Sequence, residues 1–324
     1  MEGERERIRA LLADVAAGNA EGRRGSLEAA CFPDVRWRVA CPVDEVRGVE
    51  GYCSAWLDPL ASAIPGYMRR DEIVMGGVSS TGSGHWVATL GHVVGNFEED
   101  LLGIPGHGKL VFLRCGEFYR IEGGRIAEAV ILPDLPDLAR QAGRPLLPHV
   151  LGMEMLFPSP ATHDGVLPGR PENTQAALEL VEAMLFDLRH FEPGTFASAG
   201  QTGSGGYWHR DMLWYGPAGI GSNFTYAGFQ RDHRIPFLTA FPDRVGGNHF
   251  ARFGDGDYVC SGGWPSMTMT HKGPYLGIEP TGRPLTLRVM DFWRCQDGQI
   301  RENWVLLDLL DLVRQMGRTV LPRP

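Results

Sequence analysis

The segment YWHRDMLWYGPAGIG, Tyr207 to Gly221, sets His209 two residues before Asp211. In an extended strand, residues two apart point the same way, so this spacing suits an imidazole held by a carboxylate, or a His-Asp proton pair. His233, His249 and His271 follow in the same half of the chain, and Asp308 stands near its end. Such groups do general acid/base chemistry, giving or taking a proton at a positioned substrate atom. His209, Asp211, His233 and His271 are also ligand types for Zn²⁺ or Fe²⁺, but their spacing matches no compact signature such as HExxH, and no metal is expected.

The elements that must position these residues come in duplicate. Phe118 to Pro148 reads FYRIEGGRIAEAVILPDLPDLARQAGRPLLP, and Phe292 to Pro322 reads FWRCQDGQIRENWVLLDLLDLVRQMGRTVLP. At one offset Gly124, Glu128, Asp134, Asp137, Arg140 and Gln141 fall on Gly298, Glu302, Asp308, Asp311, Arg314 and Gln315. A period this long, about the size of a small domain, marks two tandem domains and not a solenoid. Residues 1–150 form the first, 151–171 a linker dense in Pro and Gly from Leu156 onward, and 172–324 the second.

Each copy opens with a helical pattern, Glu4 to Gly18 with Ile8, Leu11, Leu12 and Val15 on one stripe, and Asn173 to Phe191 in the second. A short strand follows, DVRWRV from Asp34 and DMLWYG from Asp211, then a second helical stretch in which His233 stands where the first copy has Trp56. Three strand-like runs complete each copy, in the second Asp257 to Thr270, Leu285 to Arg294 and Ile300 to Asp308. GGRI at Gly123 and DGQI at Asp297 read as hairpin turns requiring positive φ. The order is α+β, with helices on one face of an antiparallel sheet.

The net charge of -8 and the lack of a Lys/Arg block argue against a nucleic-acid surface and favour a small-molecule substrate. No apolar run spans a membrane and the N-terminus lacks a signal-peptide core, so a soluble cytoplasmic protein is expected, without membrane contact. The six cysteines show no metal-like spacing and read as reduced thiols. Glycine clusters at Ser79 to Gly84, Gly203 to Gly206 and Gly246-Gly247 lack a dinucleotide fingerprint and read as loops or pocket lids; no cofactor is expected. No Gly-x-Ser-x-Gly elbow is present.

Asp297-Gly298-Gln299-Ile300, Glu302, Trp304, Asp308 and Gln315-Met316-Gly317 resemble the C-terminal signature of SnoaL-like polyketide cyclases, of the nuclear transport factor 2-like superfamily. The first copy departs from it, with Val130 in place of the Trp and Pro133 before Asp134. The resemblance implies two cone-shaped domains, each a curved antiparallel sheet packed on N-terminal helices, pairing within the chain as a pseudo-dimer; a further homodimer stays open. It also implies a deep apolar pocket, cofactor-independent aldol-type chemistry, and Asp308 as general base, with Asp134 its counterpart.

Period-two alternation puts Ile300, Glu302, Trp304, Leu306 and Asp308 on one strand face, with Glu302 and Asp308 about 20 Å apart, too far for a dyad. Asp308 also precedes a helical run with Asp311 three residues on, the position of an N-cap. The expected site lies in the second domain: Asp308, His209 and Asp211 catalytic, with His233, His271, Arg288, Trp264, Trp304, Tyr215 and His249 binding substrate. The first copy, lacking counterparts of His209, His233 and Trp304, reads as structural or degenerate. The reaction class is a lyase, isomerase or cyclase acting on a carbonyl compound. Two alternatives are a binding protein without chemistry, and an epoxide hydrolase or dehydratase using Asp211, Arg288 and Asp291 or Asp308.

Overall fold

The computed structural model describes residues 2–82, 84–147, 151–192, 198 and 206–322. The first half runs α1 (Glu2–Ala17), α2 (Ala20–Ala30), β1 (Cys31–Val39), β2 (Asp44–Arg47), α3 (Gly48–Tyr52), a π-helical turn Cys53–Leu57, α4 (Asp58–Ala63), β3 (Met68–Val78), β4 (His85–Phe97), β5 (Lys109–Glu122), β6 (Arg125–Pro133) and α5 (Leu135–Gln141). The second half repeats this order from a single opening helix: α6 (Pro171–Asp187), β7 (Trp208–Tyr215), β8 (Asn223–Phe224), α7 (Thr225–Phe229), a π-helical turn Gln230–Arg234, α8 (Ile235–Ala240), β9 (Ala251–Asp255), β10 (Tyr258–Thr270), β11 (Pro284–Gln296), β12 (Gln299–Leu307) and α9 (Leu309–Gln315).

Each half builds one six-stranded sheet, ordered β2-β1-β6-β5-β4-β3 and β8-β7-β12-β11-β10-β9. The meanders are antiparallel, and β1 and β7 join them parallel to β6 and β12. Both hairpin turns adopt the left-handed backbone that their sequences suggest, with φ 51° and 80° at Gly123 and Gly124, and 52° and 71° at Asp297 and Gly298. Helix α1 buries Ile8, Leu11, Leu12 and Val15 inside the first sheet, and α6 buries Ala177, Val181 and Met184 inside the second.

The outer faces of the two sheets pack on each other through a shared apolar layer that includes Trp86, Phe118, Phe253, Phe292, Trp304 and Leu306. Phe118 and Phe292, equivalent in the repeat, meet with ring centroids 5.7 Å apart. Equivalent residues meeting across a boundary is the mark of an isologous, twofold pairing, here within one chain. Residues 154–170 carry no helix or strand and lie along the first sheet, where Val74 N donates to Gly165 O at 2.8 Å and Phe157 is buried.

Polar clasps cross the boundary in the same twofold manner. Asp308 Oδ1 accepts from Asp311 N at 3.1 Å, capping α9, while its Oδ2 accepts from Arg288 at 3.0 Å and from Cys41 N of the other half at 3.0 Å. Asp134 caps α5 through Asp137 N at 3.0 Å, pairs with Arg114 at 2.9 Å, and accepts from Ala218 N of the second half at 3.0 Å. Asp44 closes the first clasp on Arg288 and Arg314, and Glu154 sits against Arg114 and Arg140 in the second.

Candidate active site

The concave face of the second sheet and the helices it wraps enclose a cavity of about 930 Å³, its mouth included. Alternation along β11 aims Leu287, Val289, Asp291 and Trp293 inward, and on β12 Asn303, Val305 and Leu307 do the same. The π-helical turn supplies His233 and Arg234, and a single-turn π segment of this kind re-aims side chains at many functional sites. The His233 ring stacks on Trp214 at 4.3 Å and 16°, with Phe229 and Phe237 beside it.

Asp291 is the acidic group on this wall. Burial pushes its carboxyl up to about 7, opposed only by a long hydrogen bond, 3.5 Å, from the Asn303 amide. No Lys, Arg or His within 4 Å pairs with it among the described residues. Burial and the nearby Arg244 and Arg234 charges bring His233 down to about 3, so it is neutral at physiological pH. Its Nδ1 is buried with no partner among the described residues. His249, also on the wall, is brought down to about 3 by burial and by Arg252, whose Nη2 lies 2.6 Å from its Nδ1.

A carboxyl that titrates near neutrality, set among neutral imidazoles and indole rings, has the properties of a general base. Such a carboxyl can be present in both forms near neutral pH, taking a proton as the carboxylate and returning it as the acid.

The same strand position in the first half is built differently. Sheet register equates Glu117, opposite Ile131, with Asp291, opposite Val305. Arg69 engages both Glu117 oxygens at 2.9 and 2.8 Å, and Thr89 and Tyr119 donate to Oε2 at 3.0 and 2.9 Å. Burial opposes ionisation there too, but the Arg69 charge and these bonds hold Glu117 below its ordinary range. The cavity is accordingly smaller, about 410 Å³. Met68 pairs with Val94 and, at the equivalent place, Val245 bridges Thr268, so Gly246 occupies the position of Arg69.

The residues singled out from the sequence separate in space. His233 and His249 line the cavity. Asp308 does not; it is an N-cap and an interdomain clasp, as Asp134 is, because β12 delivers it past the end of the sheet to the start of α9. His209 and Asp211 lie at the exposed side of β7, where Asp211 N donates to His209 Nδ1 at 3.1 Å and the Asp211 carboxylate turns to Arg210. His271 is buried beside Thr281, outside the cavity wall.

Arg288 serves the clasp and lies over Trp264, its guanidinium carbon 4.5 Å from the ring centroid. Tyr215 donates to Glu302, and Trp304 donates to Pro158 O; both belong to the layer between the sheets. The single face expected for β12 is broken by a register shift between Ile300 and Glu302: Ile300 joins the cone core, whereas Trp304 and Leu306 face the other sheet. The Asp211, Arg288, Asp291 grouping considered for a hydrolase does not assemble either. Gly203, Ser204 and Gly205 fall outside the described residues, as does Ser83, whereas Gly246 and Gly247 line the cavity.

Sequence alone does not single out Asn303 or the cavity arginines, and it raises Asp291 only for the hydrolase. The repeat holds the signal: at one offset Glu117 and Asp291 are both acidic, but the cation beside the first is a glycine beside the second.

The family model for SnoaL-like polyketide cyclases matches residues 17–142 and again 207–316, well over half of the chain. The chain belongs to this family. Among solved structures similar to this SnoaL-like chain, TsrD from Streptomyces laurentii is 22% identical with a TM-score of 0.35, covering 43% of this chain and 96% of its own. A Jannaschia sp. CCS1 protein, named provisionally a SnoaL-like polyketide cyclase, is 20% identical with a TM-score of 0.37, covering 45% and 93%. An NTF2-like protein from Burkholderia thailandensis E264 is 18% identical with a TM-score of 0.31, covering 42% and 96%. No curated protein matches the chain. Among the described residues no helix of this family member is long and apolar enough to cross a membrane.

Proposed function

We propose that the second domain is a cofactor-independent acid/base enzyme that removes a proton from carbon next to a carbonyl, with Asp291 as the base. The observation that carries this reading is the Asp291 carboxyl itself, set in the cavity wall with no cation within 4 Å among the described residues and raised to about 7 by burial. Membership of a family described as polyketide cyclases favours an intramolecular aldol closure. In that reaction the Asp291 carboxylate takes the α-proton, the enolate carbon attacks a second carbonyl of the same molecule, one C–C bond forms, and the proton held by Asp291 passes to the new alkoxide. His233, whose Nδ1 is buried with no partner among the described residues, is the group proposed to hold the enolate oxygen.

The first domain is proposed to support the second without chemistry of its own, since Arg69 occupies the carboxylate that would act there. Solvent-deuterium exchange at the α-carbon of a panel of 1,3-dicarbonyl compounds, followed by NMR, tests the reading. Exchange should depend on Asp291 and survive Glu117→Gln; exchange that persists in Asp291→Asn removes the proposal.

A further inference from the structure

Three guanidinium groups ring the proposed site. Arg189, Arg234 and Arg244 all line the cavity, and none forms an ion pair within 4 Å among the described residues. Arg234 is 4% exposed, and its Nε and Nη2 are buried with no hydrogen-bond partner among the described residues, where Nη1 bonds to Tyr226 at 3.4 Å. Arg244 donates Nη2 to Leu188 O at 2.7 Å and packs against Gly246, while Arg189 packs against Gly247.

Burial and the neighbouring Arg234 charge bring Arg244 down to about 10, and burial lowers Arg234 as well. Asp187 on α6 offsets part of the Arg234 charge, yet its Oδ2 is itself buried with no hydrogen-bond partner among the described residues.

Leaving buried guanidinium groups without an anion is unfavourable, and a planar fork of N–H donors matches an oxyanion. Elsewhere among the described residues buried arginines are paired, as Arg69 is with Glu117, Arg114 with Asp134 and Arg294 with Glu302. The exception lies in the cavity that also carries the unpaired Asp291.

We propose that the second cone takes an anionic substrate, a keto compound bearing a carboxylate or phosphate group that seats on Arg234 and Arg244, with Arg189 at the mouth. The proposal rests on the second cone being the working site. The anion would orient the substrate so that its carbonyl end, and not the charged end, lies toward Asp291. It would also offset the charge of a site that holds three guanidinium groups, with Asp187 and Asp291 as the acids near them.

Trp208, Trp214 and Trp293 line the cavity and report occupancy by fluorescence. The 324-residue chain is titrated with 2-naphthoate, 2-naphthyl phosphate and the uncharged methyl 2-naphthoate. At least one anion should bind about tenfold or more tightly than the ester, and the stronger of the two names the group, carboxylate or phosphate. Arg244→Met should remove most of that preference while leaving the ester's affinity in place. Because Arg244 is half-buried and braces Leu188, the exposed Arg189→Met supplies a second variant, with a loss of about two- to fivefold for the anions alone.

Equal affinity for the ester and both anions, or no binding of either anion, overturns the proposal. Asp291→Asn should retain or tighten anion binding. An intact anion preference with α-proton exchange that ignores Asp291 would sink the acid/base reading and spare this one; Asp291-dependent exchange without an anion preference would do the reverse.

Discussion

Glu117 and Asp291 occupy one position of one repeated sheet, and their surroundings drive them in opposite directions. In the first cone Arg69, Thr89 and Tyr119 saturate the carboxylate and fill the space, and Glu117 is held ionised. In the second, glycine replaces Arg69, His233 stands where Trp56 does, and Asn303 is the replacement for Ala129. The carboxyl is left enclosed and without a counter-ion, and burial raises it to about 7. A duplicated fold thus gives one sheet position two settings for a buried acid, paired with a cation in the first cone and without one within 4 Å among the described residues in the second, the setting that the proposed base requires.

Removing the unpaired acid should cost the most activity. Asp291→Asn is expected to lower turnover of any substrate found for this site by about 10²- to 10⁴-fold, the usual yield of a positioned base, with KM changed far less. Glu117→Gln should leave turnover in place and instead destabilise the fold by about 1–3 kcal/mol in chemical denaturation, because Arg69 loses its two-oxygen partner and keeps only Asp71, at 2.9 Å.

Giving the second cone the cation of the first probes the same difference from the other side. Gly246 is not in the left-handed region, and an added Cβ meets only the Arg244 guanidinium at 3.2 Å and Met267 at 3.9 Å. Gly246→Arg should therefore fold, pair with Asp291, bring its titration below the ordinary carboxylate range and abolish activity. A variant that retains a midpoint near 7 would show that the missing cation is not what raises Asp291.

The two acids also leave opposite marks on stability against pH. Glu117 is depressed in the folded state, so its contribution is full above its unfolded value and is lost as pH falls through the folded one. Asp291 is raised, so the folded chain binds its proton more tightly than the unfolded chain, and stability falls as pH rises from about 4 to about 7. Asp291→Asn should remove that decline, gaining up to about 4 kcal/mol at about pH 8 and little at about pH 4. Least is expected at the exposed edge, where His209→Ala should change stability by under about 0.5 kcal/mol and leave activity unaltered.

Both cones and the hairpins were legible because repeat spacing, helical periodicity and positive-φ turn residues are local signals. The site was less so. The signature residues Glu302, Trp304 and Asp308 carry the resemblance, yet they face the other sheet or clasp it, and a pseudo-dimer layer is as demanding of residue type as a pocket. Their alternate neighbours on β12, Asn303 and Val305, face the cavity. A register shift at Ile300 hides which set points inward, and period-two reasoning has no means of detecting it. His233 was visible through its exchange with Trp56, whereas His209 and Asp211 mislead because a strand that places two side chains on one side does not say that the side is enclosed.

A carboxyl ¹³C NMR titration of the chain labelled at Asp and Glu, with Asp291→Asn and Glu117→Gln used for assignment, decides whether the two cones hold their acids differently. Asp291 should show a midpoint near 7 while Glu117 titrates below its ordinary range. An Asp291 midpoint at the ordinary carboxylate value of about 4, or the two acids titrating together, would refute the unpaired-base reading.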